Sequence, residues 1–170
     1  MLDNILNWSV SQMGGMLPKM QENNLYSIID EQIHLYRPVA ISKEIEIINE
    51  VYKDSIVFAD GNHLKIIFRN LLQNALKFTN FKGKIIFCFK EEDSHKIIEI
   101  CDNGVGLSIE KMKTMFELDK STSDLGTHHE QGTGLGLTLV RELVEVNNGK
   151  IQVQSALGVG TTFRIYFRLI

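Results

Sequence analysis

Three polar or glycine-rich segments, each placed where an apolar pattern stops or starts, restrict what this chain can fold into. Asn70-Leu-Leu-Gln-Asn74-Ala-Leu-Lys77-Phe78-Thr79 closes one helical stripe, Asp102-Asn-Gly104-Val-Gly106 leaves a β-branched run, and Gly132-Thr-Gly134-Leu135-Gly136-Leu opens a second helical stripe. The first stripe is Leu64, Ile67, Phe68, Leu71, Leu72, Ala75 and Leu76, preceded by Asp60 as N-cap. It leaves Asn70, Asn74 and Lys77 off the core face. The second stripe, Leu137, Val140, Leu143 and Val144, lies in a helix predicted over 134–147, with Gly149 as its C-terminal signal. Between the stripes, residues 83–90 and 95–102 read as a hairpin around Glu91-Glu-Asp-Ser94. Two strands, over 150–155 and 161–169, close an α+β order.

Upstream, Leu25, Ile28, Ile29, Ile33 and Tyr36 mark an amphipathic helix capped by Asn24, which Pro38 is expected to kink or end. His34 falls within it as a surface or core-edge imidazole. Short strands are expected around Ile45, Ile47 and Val51 and over Ser55–Ala59. Residues 1–13 pattern as a helix that Gly14, Gly15 and Pro18 interrupt, residues 14–24 read as a linker, and the domain proper runs over 25–170. Trp8 in the first segment suits packing. Ser108 can cap a short helix reaching Phe116, and 117–133 is a polar, glycine-containing stretch long enough to serve as a mobile lid.

Composition removes several classes of function. A net charge of -3 offers no basic footprint for nucleic acid, and no apolar run nears the roughly 20 residues that span a bilayer. The start lacks a signal peptide's basic region, so a soluble, cytoplasmic domain is expected. If the hairpin turns near Asp93, Cys88 lies opposite about Ile98 and not Cys101, which predicts two reduced, buried thiols. His128 and His129 are adjacent, not at metal-ligand spacing, and neither glycine segment continues into the Lys-Ser/Thr of a P-loop.

Asn70, Asn74 and Lys77 at four- and three-residue spacing share one helix face. An asparagine oxygen can ligate Mg2+ carrying a triphosphate, and a lysine offsets phosphate charge; the same face would serve equally as a solvated ridge. Asp102 accepts hydrogen bonds, which suits the adenine amino group and rejects guanine's carbonyl, while Gly104 and Gly106 let the backbone approach a purine. Taken alone, Asp102-Asn-Gly104 reads more readily as a plain turn. Gly132, Gly134 and Gly136 can aim backbone N–H groups at phosphate oxygens from a helix start. Lys120 either approaches the terminal phosphate or remains a solvated loop lysine.

Together these segments resemble the ATP-binding catalytic domain of sensor histidine kinases, in the superfamily shared with gyrase-type and mismatch-repair ATPases. The resemblance covers about residues 25–169: Asn70–Thr79 as the N box, Asp102–Gly106 and Gly132–Leu137 as glycine boxes, Phe116 as the F box, and Gly158–Phe163 as the closing strand. It implies a two-layer α/β sandwich, a mixed, mostly antiparallel sheet against about three helices, with 117–131 as ATP lid. It also implies Mg-ATP as ligand, with Asn74 on the metal, Asp102 on the adenine amino group, Phe78 near the base and Thr161 supporting Asp102; spacing and the helix start place Lys77, Lys120, Gly132, Gly134, Leu135 and Gly136 at the phosphates. Phe78 could instead finish its helix against the core.

Two departures shape the expected reaction. ATP-hydrolysing relatives generally carry a glutamate base four residues before the magnesium asparagine, where this chain has Asn70. An amide cannot activate water, so transfer to an already nucleophilic histidine is expected over hydrolysis. None of the five histidines lies in the phosphoacceptor pattern. The expectation is therefore a catalytic module whose histidine sits on a separate dimerisation domain of a membrane-attached parent, with a response regulator downstream. Residues 1–13 would be the end of the dimerisation helix. An ATPase and a nucleotide-dependent interaction module are the rival readings.

Overall fold

The computed structural model describes residues 17–116, 127 and 135–168. In chain order they form β1 (Gln21–Asn24), α1 (Leu25–Ser42), β2 (Glu46–Asn49), β3 (Ile56–Ala59), α2 (Gly61–Phe78), β4 (Lys84–Glu92), β5 (His95–Asp102), α3 (Ile109–Thr114), α4 (Gly136–Val146), β6 (Lys150–Ala156) and β7 (Gly160–Arg168). Five strands build one sheet in the order β2-β4-β5-β7-β6, while β1 and β3 pair separately and antiparallel. The β2–β4 ladder is parallel and the other three in the large sheet are antiparallel. Leu64, Ile67, Phe68, Leu71 and Leu72 of α2 share a continuous core with Leu139, Val140 and Val144 of α4, Leu25 and Ile29 of α1, and sheet residues Ile85, Phe87, Ile98, Ile100 and Ile165. This is the expected two-layer sandwich, with α2 packed between α1 and α4.

Capping chemistry sets the helix starts. The Asn24 side chain accepts from Ser27 N at 2.8 Å to open α1, and Asp60 Oδ1 accepts from Asn62 N at 2.8 Å and His63 N at 3.2 Å to open α2. Burial alone would raise the Asp60 pKa, but backbone N–H groups from Lys19, His63 and Asn62 outweigh it and hold the carboxyl below its ordinary value. Pro38 does not end α1, which continues to Ser42. Both Pro38 and His34 are exposed, so water can meet the His34 carbonyl that the missing N–H leaves without a partner.

Four further expectations need correction. Asn70 is not off the core face of α2: it is 3% exposed, and its Nδ2 donates back to Ile66 O at 2.8 Å. The hairpin turns over Asp93 and Ser94 alone, since Glu92 pairs with His95; Cys88 therefore faces Glu99, one residue from expectation, and Cys101 faces Ile86. Both cysteines are free and half-buried, and burial pushes the Cys88 thiol up to about 11. At the end of α4 the left-handed residue is Asn148, φ 57°, not Gly149. Asn148 N donates to Glu145 O and Gly149 N to Val144 O, both at 2.9 Å, in a Schellman arrangement. Gly149 is needed for space, as a Cβ there would lie 2.9 Å from Tyr166 O.

Within the segment read as a linker, Gln21–Asn24 pairs with β3. The expected helix over 1–13, with Trp8, lies outside the described residues. A buried tie joins the start of α2 to the end of α4: Asn147 Oδ1 accepts from Asp60 N at 2.7 Å, and its Nδ2 lies 3.0 Å from His63 Nδ1. On the sheet face away from the helices, Glu99 is buried between Arg164, at 2.6 Å, and Lys90, at 2.9 Å. Burial opposes its ionisation, yet these two cations keep its pKa below the ordinary value.

Candidate functional site

A helix end leaves backbone carbonyls without intrahelical partners, and those at the end of α2 organise this rim of the molecule. Phe78 O accepts from Val105 N at 3.0 Å, so the turn after β5 docks directly on the helix end. A Cβ on Gly104 would sit 2.3 Å from Phe78 O, which is why that position is glycine. Gly106 has φ +69°, and a Cβ there would meet Ala156 O at 2.0 Å. The two glycines let three backbone segments converge.

Asp102 ends β5, the central strand, with β4 on one side and β7 on the other. Its Oδ1 accepts from Gly104 N at 2.9 Å and Thr161 N at 3.3 Å. Its Oδ2 takes no hydrogen bond from a described residue. Burial raises the Asp102 pKa above its ordinary value, and the two backbone donors offset only part of that cost. The group is a half-buried carboxylate with one oxygen pinned and one open. Thr161 supports it through its backbone, while its Oγ1 lies 3.0 Å from Ser155 Oγ. Ser155 Oγ also accepts from Leu107 N at 2.8 Å and donates to Gly160 O at 2.7 Å, closing the wall behind Asp102.

On α2, Asn74 and Lys77 are half-buried, and Lys77 Nζ lies 4.8 Å from the Phe78 ring centroid. The two asparagines differ in kind. Asn70 is buried with its amide engaged, and its Oδ1 would lie 2.9 Å from a Cβ on Gly136, so a larger residue at the start of α4 would have to shift the Asn70 amide. The Asn74 amide makes no hydrogen bond to a described residue and is free to ligate. Leu135 precedes α4 without providing a side-chain cap, and a helix start of this kind presents backbone N–H groups that suit an anion. Lys120, Gly132 and Gly134 lie outside the described residues. The structure thus brings Asn74, Lys77, Phe78, Asp102, Gly104, Gly106 and Thr161 to one rim, with Leu135 and Gly136 beginning the neighbouring helix.

Several residues at this rim carried no usable sequence signal. Ser155 lies in an ordinary strand pattern, and Asn103, whose Oδ1 accepts from Lys84 N at 2.7 Å, reads as part of a turn. Lys43 is 5% exposed and donates to Leu76 O, and Thr127 lies beside it. Among the described residues, no group of three or more His, Cys, Asp or Glu side chains could hold a metal. Oxygen donors such as the Asn74 amide remain for a hard cation shared with phosphates, which suits Mg2+.

The chain belongs to the family described as histidine kinase-, DNA gyrase B-, and HSP90-like ATPases, whose pattern matches residues 59–170. Within that family it is an ATP-binding catalytic domain of the sensor histidine kinase type. It is 36% identical over 170 residues to the autoinducer 2 sensor kinase/phosphatase LuxQ of Vibrio vulnificus, covering 95% of this chain and 20% of that protein. It is 30% identical over 175 residues to the sensor histidine kinase GacS of Pseudomonas protegens, covering 99% of this chain and 19% of that protein. The chain thus spans about a fifth of these relatives. The solved catalytic domain of histidine kinase ThkA superposes with a TM-score of 0.76 at 26% identity, covering 88% of this chain and 95% of that one.

Proposed function

We propose that this domain holds Mg-ATP at the rim formed by α2, the turn after β5 and the start of α4, and passes the γ-phosphoryl group to a histidine on a dimerisation domain of its parent kinase. The observation that carries the reading is the pairing of Asp102, one oxygen pinned and one open at the end of the central strand, with an uncommitted Asn74 amide on the adjoining helix. The open oxygen suits the adenine amino group, and Asn74 would hold Mg2+, which supplies charge neutralisation along the triphosphate. Lys77 adds positive charge, Phe78 flanks the base, and Gly132, Gly134, Leu135, Gly136 and Lys120 serve the phosphates.

The acceptor follows from Asn70. Its side chain has no basic oxygen and its amide is already bonded to Ile66 O, so no residue there can take a proton from water. A missing general base forfeits about 10²–10⁴ in rate. An imidazole needs no such help: its nitrogen attacks the γ-phosphorus, the bond to the bridging oxygen breaks, and ADP leaves. Catalysis then reduces to positioning and charge stabilisation. The histidine would hand the group to an aspartate of a response regulator. Residues 1–13 would be the end of the dimerisation helix and 14–20 the connection to the domain, which begins with β1. No helix among the described residues is long and apolar enough to cross a membrane; membrane attachment would belong to the rest of the parent, with this domain on its cytoplasmic side.

Replacing Asn74 with Ala should weaken magnesium-dependent ATP binding about tenfold or more in a calorimetric titration, the scale of one lost charge-assisted contact. Labelled ATP with a separately produced histidine-bearing dimerisation domain should label that domain. Steady phosphate release without it would identify an ATPase instead, and binding with neither outcome an interaction module.

A further inference from the structure

The end of α2 is held by more than the turn after β5. Lys43, one residue beyond α1 and 5% exposed, donates from Nζ to Leu76 O at 2.6 Å and to Thr127 Oγ1 at 2.8 Å. Thr127 in turn donates its N–H to Lys77 O at 3.0 Å, and its Oγ1 lies 3.1 Å from both Lys77 O and Thr79 O. With Val105 N on Phe78 O, the carbonyls of Leu76, Lys77, Phe78 and Thr79 all have partners outside the helix. These belong to the turn that carries Lys77 and Phe78 and immediately follows Asn74. A lysine is an apt choice here, because its compact head has several donors and favours the negative end of a helix dipole.

We propose that Lys43 and Thr127 form a positioning latch for phosphoryl transfer: Lys43 joins Thr127 to the last turn of α2 and so fixes the orientation of the side chains that receive the triphosphate. This rests on the reading of the rim as an ATP site. Neither residue touches the nucleotide; each acts through the backbone of the turn. Misplacement of about an ångström in such a cradle is enough to cost two orders of magnitude in rate. The latch also makes chain position 127, between the end of α3 and the start of α4, answerable to the same turn as Asn74.

The test combines calorimetric ATP titration and thermal unfolding for the wild type, Lys43→Met, Lys43→Arg, Thr127→Val and the Lys43→Met/Thr127→Val double variant. Lys43→Met should raise the ATP dissociation constant of the folded protein about tenfold and Thr127→Val about threefold to tenfold. The double variant should match Lys43→Met within about twofold, since the two act in one chain of contacts. Lys43→Arg should recover part of the affinity. In the transfer assay with the dimerisation domain, kcat should fall along with the weaker ATP affinity.

A Lys43→Met protein that melts lower yet binds ATP as the wild type does would reduce Lys43 to a structural residue and overturn the latch. So would losses that multiply in the double variant. Should Lys43→Met not fold, Thr127→Val decides alone, because it deletes one hydroxyl without burying a new polar group. A wild type that fails to bind ATP would remove the nucleotide reading and the latch together; binding by the wild type with unchanged variants removes the latch only.

Discussion

Asp102→Asn separates the two things this residue does, because its oxygens have different partners. Oδ1 accepts from Gly104 N and Thr161 N, and an asparagine oxygen can keep both bonds. Oδ2 becomes an NH2 group, which sets a donor against the donor on adenine. Losing a hydrogen bond to a charged acceptor costs about 1.5–3 kcal/mol, so with donor facing donor about 3 kcal/mol is expected, near a hundredfold in ATP affinity. Stability should move the other way. The folded-state pKa of Asp102 is raised by burial, so its ionised form penalises the fold once pH rises through that value, and a neutral amide removes the penalty at neutral pH. The melting temperature at pH 7.5 should therefore hold or rise while ATP affinity collapses. Calorimetry with ATP and GTP would also show the purine preference narrowing, since the new donor suits the guanine carbonyl. Unchanged ATP affinity with a melting temperature lowered by several degrees would refute the reasoning, making Asp102 only a fastener for its turn.

The same raised pKa predicts that wild-type ATP affinity weakens as pH is lowered into the acidic range, starting above the ordinary carboxylate range, while Asp102→Asn changes less; phosphate ionisation is common to both titrations and cancels in their ratio. Gly160→Ala should be severe, because φ is +132° and the new Cβ would lie 1.9 Å from Asp102 O. A cost of about 3 kcal/mol corresponds to about 6–12 °C in melting temperature for a chain of this size. Gly158→Ala is the control: its φ is +74° but nothing lies within 4 Å of its Cβ, so about 1 kcal/mol of backbone strain is expected.

Most of the architecture was legible because it is written in periodicity and caps. The α2 stripe, the Asn24 and Asp60 caps and the helix of the second stripe are local, and local rules read them. What local rules missed depends on partners far along the chain. Gln21–Asn24 has no apolar alternation and is a strand because β3 lies beside it. Asn70 is polar in the pattern but is buried against the start of α4, where Gly136 makes room. Pro38 breaks a helix only where its neighbours need the lost bond, and on an exposed turn they do not. At the site, Asp102, Asn74 and the glycines stood out by residue type and order. Lys43, Ser155 and Thr127 did not, since a buried lysine or a half-buried hydroxyl looks in sequence like any surface one.

The hairpin turn has a consequence at the opposite end of the sheet. Asp93 and Ser94 close the β4–β5 ladder with Glu92 on His95, and from there the pairing counts without interruption to Asp102 beside Ile85. Side chains alternate along a strand, so adding one residue within β5 would send the Asp102 carboxylate to the opposite surface of the sheet. The facing of that acid is thus set by an unbroken ladder that begins at a two-residue corner, so an extra residue between His95 and Asp102 should disturb the rim far more than extra residues in the corner itself.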